Sequence, residues 1–144
     1  MISGMSSGSS TDRQCDAAGA YSGDTESMFR LLFERSGDAI ILFDQQKQTL
    51  VDCNAAAVKL MRAPSKERLL NTLPAALAPA SQADGRSTQD ALQEITALIS
   101  ANGGHRFEWL ARRFDGTDVP LEITVTPILA YGQVLHVIVP RALA

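Results

Sequence analysis

The sequence has little of what usually announces chemistry. Its 144 residues include two cysteines, two histidines and one tryptophan. Cys15 and Cys53 are too few and too far apart to form a disulfide framework, so a reducing, cytoplasmic setting is expected. Together with His105 and His136 they have no closed-site metal spacing, and no metal site is expected. No apolar run approaches the roughly 18–20 residues that span a bilayer. Residues 1–10 lack the basic and apolar regions of a secretory signal. There is no basic excess either. Residues 1–27 carry one basic and four acidic side chains, which is the whole net charge of −3, and the rest holds twelve of each sign. A neutral domain gives no electrostatic reason to bind nucleic acid or a membrane surface.

What is present is a core. Hydrophobic residues make up 45% of the chain, enough for one packed domain. Residues 1–23 are rich in Ser and Gly and are expected to form a flexible tail. The tail contains Gly4-Met5-Ser6-Ser7-Gly8, a formal match to a nucleophile elbow, but without the strand and helix that such an elbow needs. Thr25 is placed to cap a helix running to about Arg35, with Met28, Phe29, Leu32 and Phe33 on one stripe. Residues 24–37 then form a flanking helical segment that Ser36-Gly37 ends.

Ala39 to Phe43 reads as a buried strand, and Thr49 to Cys53 as its hairpin partner. Asn54 suits the N-cap of a short helix from Ala55 to about Arg62. Pro64, Pro74 and Pro79 break the following stretch into short pieces. Ser87-x-x-Asp90 resembles a capping box opening the longest helix, which places Leu92, Ile95, Leu98 and Ile99 toward the core and stops at Gly103-Gly104. From His105 the period changes to two. Three strands are predicted at about 105–114, 119–126 and 134–139, turned at Asp115-Gly116 and Tyr131-Gly132. Consecutive strands on tight turns pair antiparallel. The expected fold is therefore α+β, a five-stranded antiparallel sheet with several short helices and one longer helix on one face.

Four stretches resemble a PAS domain. Asp38 to Asp44 is similar to the first PAS strand and its turn, and Val51-Asp-Cys-Asn54-Ala-Ala to the second strand and its Asn-capped helix. Leu77-Ala-Pro79-x-x-Gln82-x-Asp84-Gly85 looks like the mid-domain loop of one bacterial subgroup. His105-Arg-Phe-Glu-Trp109 through Asp115-Gly116-Thr117-x-x-Pro120-x-Glu122 is similar to the central hairpin and is the most specific stretch. The resemblance covers roughly Phe29 to Val139, and residues 38–141 are taken as the domain. It implies a regulatory sensor domain of a bacterial signal-transduction protein, with a pocket between sheet and helices for a small apolar or aromatic ligand. The alternative is a ligand-free dimerisation or interaction module. The kinase, cyclase or regulator module that such a domain would control is absent from this chain.

The resemblance also implies site residues. Positions resembling Met61, Phe107, Leu121, Ile123, Val125, Leu135 and Val137 face the cavity in cofactor-binding members. Alternation adds Trp109, and the long helix adds Ile95. The same residues packed solid would simply fill a core. No cofactor is identified. Haem-binding members supply a histidine from the long helix, which has none here; His105 and His136 read as strand histidines at a solvent edge. Covalent flavin chemistry needs a cysteine beyond the Asn-capped helix, whereas Cys53 precedes it and reads as a small buried apolar residue. A homodimer is expected through Met28, Phe29, Leu32 and Phe33, since the helix-free sheet face needs cover. Enzyme chemistry is not expected: Asp44, Asp52, Glu108 and Glu122 stand beside no nucleophile or metal set. Pro140 is expected to end the last strand, because it has no N–H for a ladder.

Overall fold

The computed structural model describes residues 25–143. The Ser/Gly-rich segment, its Gly4–Gly8 match and Cys15 lie outside the described residues. Helix α1, Thr25–Arg35, buries none of its side chains, and its residues up to Phe33 belong to a different unit from those that follow. From Glu34 onward one unit holds strands β1 (Ile41–Asp44) and β2 (Thr49–Cys53), helices α2 (Ala55–Met61) and α3 (Lys66–Leu70), a 3-10 turn (Pro74–Leu77), helix α4 (Thr88–Asn102), and strands β3 (His105–Arg112), β4 (Asp118–Ala130) and β5 (Gln133–Ala142). This is the α+β arrangement that the sequence predicts.

The caps explain where the helices begin. Asn54 accepts the Ala57 N–H at 3.1 Å and opens α2, Ser65 accepts the Arg68 N–H and opens α3, and Ser87 accepts the Asp90 N–H and opens α4. Gly103 closes α4 in the left-handed conformation at φ 71° and returns its N–H to the Ile99 carbonyl. Gly104 then leads straight into β3. A Cβ there would sit 3.1 Å from the Val125 carbonyl oxygen, with φ at +147°, so only glycine fits this junction.

All sheet pairs are antiparallel, in the order β2-β1-β5-β4-β3. The last strand in sequence is thus the central one. The chain crosses from one edge, β2, to the other, β3, through α2, α3 and α4. The apolar faces of these helices pack on one face of the sheet. Ala57, Met61, Leu69, Ala91, Ile95 and Ile99 meet Trp109, Ala111, Val119, Leu121, Ile123 and Val125 in the buried core.

Pro140 does not end β5, which runs on to Ala142. The reason is register. The Leu143 N–H donates to the Pro120 carbonyl at 3.0 Å, so by alternation the Pro140 nitrogen faces away from β4. On that other side β1 has already stopped, its last pair being Ile41 with Ile138. The missing N–H therefore costs no ladder bond.

Asn54 is fully buried and holds three chain segments together. Its Oδ1 accepts from Ile40 N at 3.0 Å as well as from Ala57 N, its Nδ2 donates to the Asp38 carbonyl at 2.9 Å, and its own N–H donates to the Ile40 carbonyl. Replacing it by Ala leaves the Ile40 N–H and the Asp38 carbonyl without their side-chain partner and removes the cap from Ala57, whose N–H keeps only the Asn54 carbonyl. Asn54→Ala is expected to lower unfolding free energy by roughly 2–4 kcal/mol. The check is urea denaturation of the full chain; a loss below about 1 kcal/mol would contradict the role assigned to this amide.

Candidate functional site

Between the sheet and the helices lies a cavity of about 300 Å³. Its floor is the inward face of the sheet. Ile41 and Phe43 come from β1, Phe107, Trp109 and Ala111 from β3, Leu121, Ile123 and Val125 from β4, and His136, Ile138 and Pro140 from β5. Its roof is Met61 from α2, Leu69 from α3, Leu73 to Ala75 and Leu77, and Leu92, Ile95, Thr96 and Ile99 from α4. The wall is almost wholly hydrocarbon and aromatic. Phe107 and Trp109 meet edge to face with ring centroids 6.1 Å apart.

Of the residues singled out in the sequence, Met61, Ile95, Phe107, Trp109, Leu121, Ile123 and Val125 lie along this cavity. Leu135 and Val137 do not. Their neighbours His136 and Ile138 line it instead, so the face assigned to β5 is corrected by one residue. The cause is the register: Val125, which faces inward, pairs with Ile138, and Thr126 pairs with Val137. Val134 to Val139 is apolar apart from one histidine, and its own pattern does not choose a face.

That histidine is also relocated. His136 stands on the central strand, not at a solvent edge, and is 7% exposed. Its ring lies beside Phe43 at 6.5 Å between centroids. Burial pushes the imidazole below its ordinary pKa, so it is neutral at pH 7. His105 does lie on the edge strand β3, half-buried and stacked on Phe107 at 5.5 Å. His136 faces the cavity from β5, and α4 carries no histidine.

Cys53 is fully buried. Burial raises its thiol pKa, partly opposed by the Lys66 charge, which marks an inert packing residue. Lys66 holds Asp52 at 2.8 Å and Glu34 at 3.1 Å, and the hydrogen bond to Asp52 is the main reason its ammonium is stabilised. Among the described residues no three or more His, Cys, Asp or Glu side chains gather as a metal site requires, and no helix is long and apolar enough to cross a membrane.

The roof is fastened unevenly. At the α2 end, Arg62 pairs with Asp115 at 2.6 Å, the Phe114 N–H donates to the Met61 carbonyl, and the Arg113 Nε donates to the Leu60 carbonyl. Asp115, held by the Thr117 hydroxyl and then by Arg62, has a carboxyl well below the usual range. At the α4 end, Gln82 clasps β3: its Oε1 accepts the Leu110 N–H at 2.8 Å and its Nε2 donates to the Leu110 carbonyl at 3.1 Å. Only the occurrence of Gln82 in the loop motif hinted at a role. Between these ends the Pro74–Leu77 turn has no side-chain cap, and Leu73 is exposed.

On α1, Met28, Phe29 and Leu32 are exposed, as is Leu31, which the sequence stripe omitted. Phe33 differs in being half-buried.

No curated protein matches this sequence. Solved structures do. The PAS domain of a Colwellia psychrerythraea protein has 22% identity and a TM-score of 0.70, covering 83% of this chain and 98% of that one. The PAS domain of nitrogen regulation protein NR(II) from Vibrio parahaemolyticus has 20% identity and a TM-score of 0.61, covering 78% and 95%. The PAS domain of a LuxR-family transcriptional regulator from Burkholderia thailandensis, solved in complex with ethanol, has 15% identity and a TM-score of 0.64, covering 80% and 96%. The PAS fold family matches residues 27–139, most of the sequence and both sides of the cavity, and the chain belongs to that family.

Proposed function

We propose that this chain is a regulatory sensor domain of a signal-transduction protein, acting in the cytoplasm and binding a small apolar or aromatic ligand between sheet and helices. The observation that carries this reading is the cavity of about 300 Å³ with its apolar wall. Packed interiors leave few voids larger than a water molecule, and a space of this size is at the lower end of ligand pockets. In this reading residues 38–141 are the sensing domain and residues 24–37 the segment that passes the signal on. The role is regulatory rather than catalytic, and the output belongs to a kinase, cyclase or regulator module.

The mechanism is a population shift. A ligand stabilises one arrangement of the helical roof against the sheet, to the extent that it binds that arrangement better than another. The uncapped Pro74–Leu77 turn is the part of the roof least tied down by side-chain bonds. Filling the cavity with protein should mimic or block occupancy. Ile123→Trp is expected to remove ligand binding while keeping the fold. Native mass spectrometry of the purified chain, with a denatured sample alongside, reads this as a non-covalent mass excess present in wild type and absent in the variant. Equal excess in both would place the ligand elsewhere.

The exposed apolar side of α1 favours a second reading, a homodimerisation module. Phe29 is 67% exposed and Leu32 60%, unusual for side chains of this size on one helix. Phe29→Asp is expected to convert a dimer to a monomer by light scattering. If wild type is already monomeric at 100 times the concentration of the mass spectrometry sample, or Phe29→Asp stays dimeric, this second reading falls.

A further inference from the structure

The cavity wall contains two polar groups that its apolar character hides. His136 is 7% exposed and Trp109 8% exposed, and both line the cavity. Among the described residues nothing hydrogen-bonds to the His136 imidazole or to the Trp109 indole N–H; their contacts are with the Phe43 and Phe107 rings. Buried polar groups are nearly always satisfied, because an unmade bond in a dry site costs about 1–3 kcal/mol. The remaining polar side chains around the cavity differ from these two: the Thr96 hydroxyl donates to the Leu92 carbonyl, the Gln48 amide donates to the Gln45 carbonyl, and Gln45 and Gln48 are half-buried and exposed.

The register keeps the two apart: Trp109 pairs with Leu121 and His136 with Pro127, six residues further along β4, so no single small molecule meets both, and His136 defines the chemistry. A neutral imidazole offers one donor and one acceptor. An oxygen with a lone pair satisfies the donor, and a hydroxyl also satisfies the acceptor. The wall carries no Lys, Arg, Asp or Glu. An ionised ligand would be buried without an opposite charge, at a cost that such a wall does not offset.

Resting on the ligand-cavity reading above, we infer that the cavity recognises a small uncharged molecule with a hydroxyl or carbonyl oxygen, phenol-like in size and polarity, and that His136 hydrogen-bonds this oxygen. The hydrocarbon part lies against Phe43, Val125 and Ile138, which line the cavity nearest His136. The imidazole sets specificity and the apolar wall supplies most of the affinity.

The test uses three single-ring probes on the full chain: phenol, toluene and benzoate, titrated by NMR chemical shift. Phenol is expected to bind wild type about tenfold more tightly than toluene, the worth of one good buried hydrogen bond. In His136→Phe this preference should disappear while toluene binds as before; Trp109→Phe should leave it in place. If a variant does not fold, wild type still decides. The His136 ring 15N resonances, assigned with the help of His105→Gln, should move with phenol and stay with toluene. If toluene binds but phenol is not preferred, or the preference survives in folded His136→Phe, oxygen recognition is overturned and the ligand cavity stands. Benzoate binding more tightly than phenol would overturn the uncharged class. If none of the three binds, the ligand-cavity reading falls and this inference falls with it.

Discussion

The structure depends first on one buried amide. Asn54 joins the entry of β1, the exit of β2 and the first turn of α2 through its side chain and backbone. The direction in which α2 leaves the sheet follows from those bonds. α2 in turn delivers Met61 to the cavity and its carbonyl to the Phe114 N–H. One end of the roof is thus fixed from the first hairpin to the central one. An apolar residue of similar size would fill the volume but satisfy none of these backbone groups, and such groups are costly in a dry interior.

The cavity follows from an imbalance between sheet and roof. Five strands present a broad inward face, and the roof crosses it in short pieces interrupted by Pro64, Pro74 and Pro79. Proline breaks prevent one long helix from lying flat across the sheet. Only α4, with fifteen residues, packs a continuous stripe. Short helices with loops between them fill space less completely than one long one, and the cavity lies under that interrupted stretch.

Local chemistry was legible in the sequence, and long-range register was not. The caps at Asn54, Ser87 and Gly103 and the Asp115-Gly116 turn rest on residues within a few positions of each other. The alternation of Leu121, Ile123 and Val125 against polar neighbours likewise showed the inward face of β4. β5 has no such contrast. Its inward face is set by pairing with β4 and β1, partners that in the case of β1 lie over ninety residues away. That single long-range fact moves His136 inward, Leu135 and Val137 outward, and makes Pro140 acceptable within a strand. The Gln82 clasp was hidden for the same reason, since it joins residues 28 positions apart.

The Gln82 clasp has a consequence beyond holding the roof. β3 is an edge strand, and an edge strand presents unpaired backbone groups on which another chain can add. At Leu110 both outward groups are already occupied by one side-chain amide, which imitates the missing neighbouring strand for a single residue. A foreign strand approaching this edge would have to displace Gln82 before it could form a continuous ladder. A continuous added ladder along β3 is therefore interrupted two residues before the strand ends, the kind of break that blunts an edge against stacking.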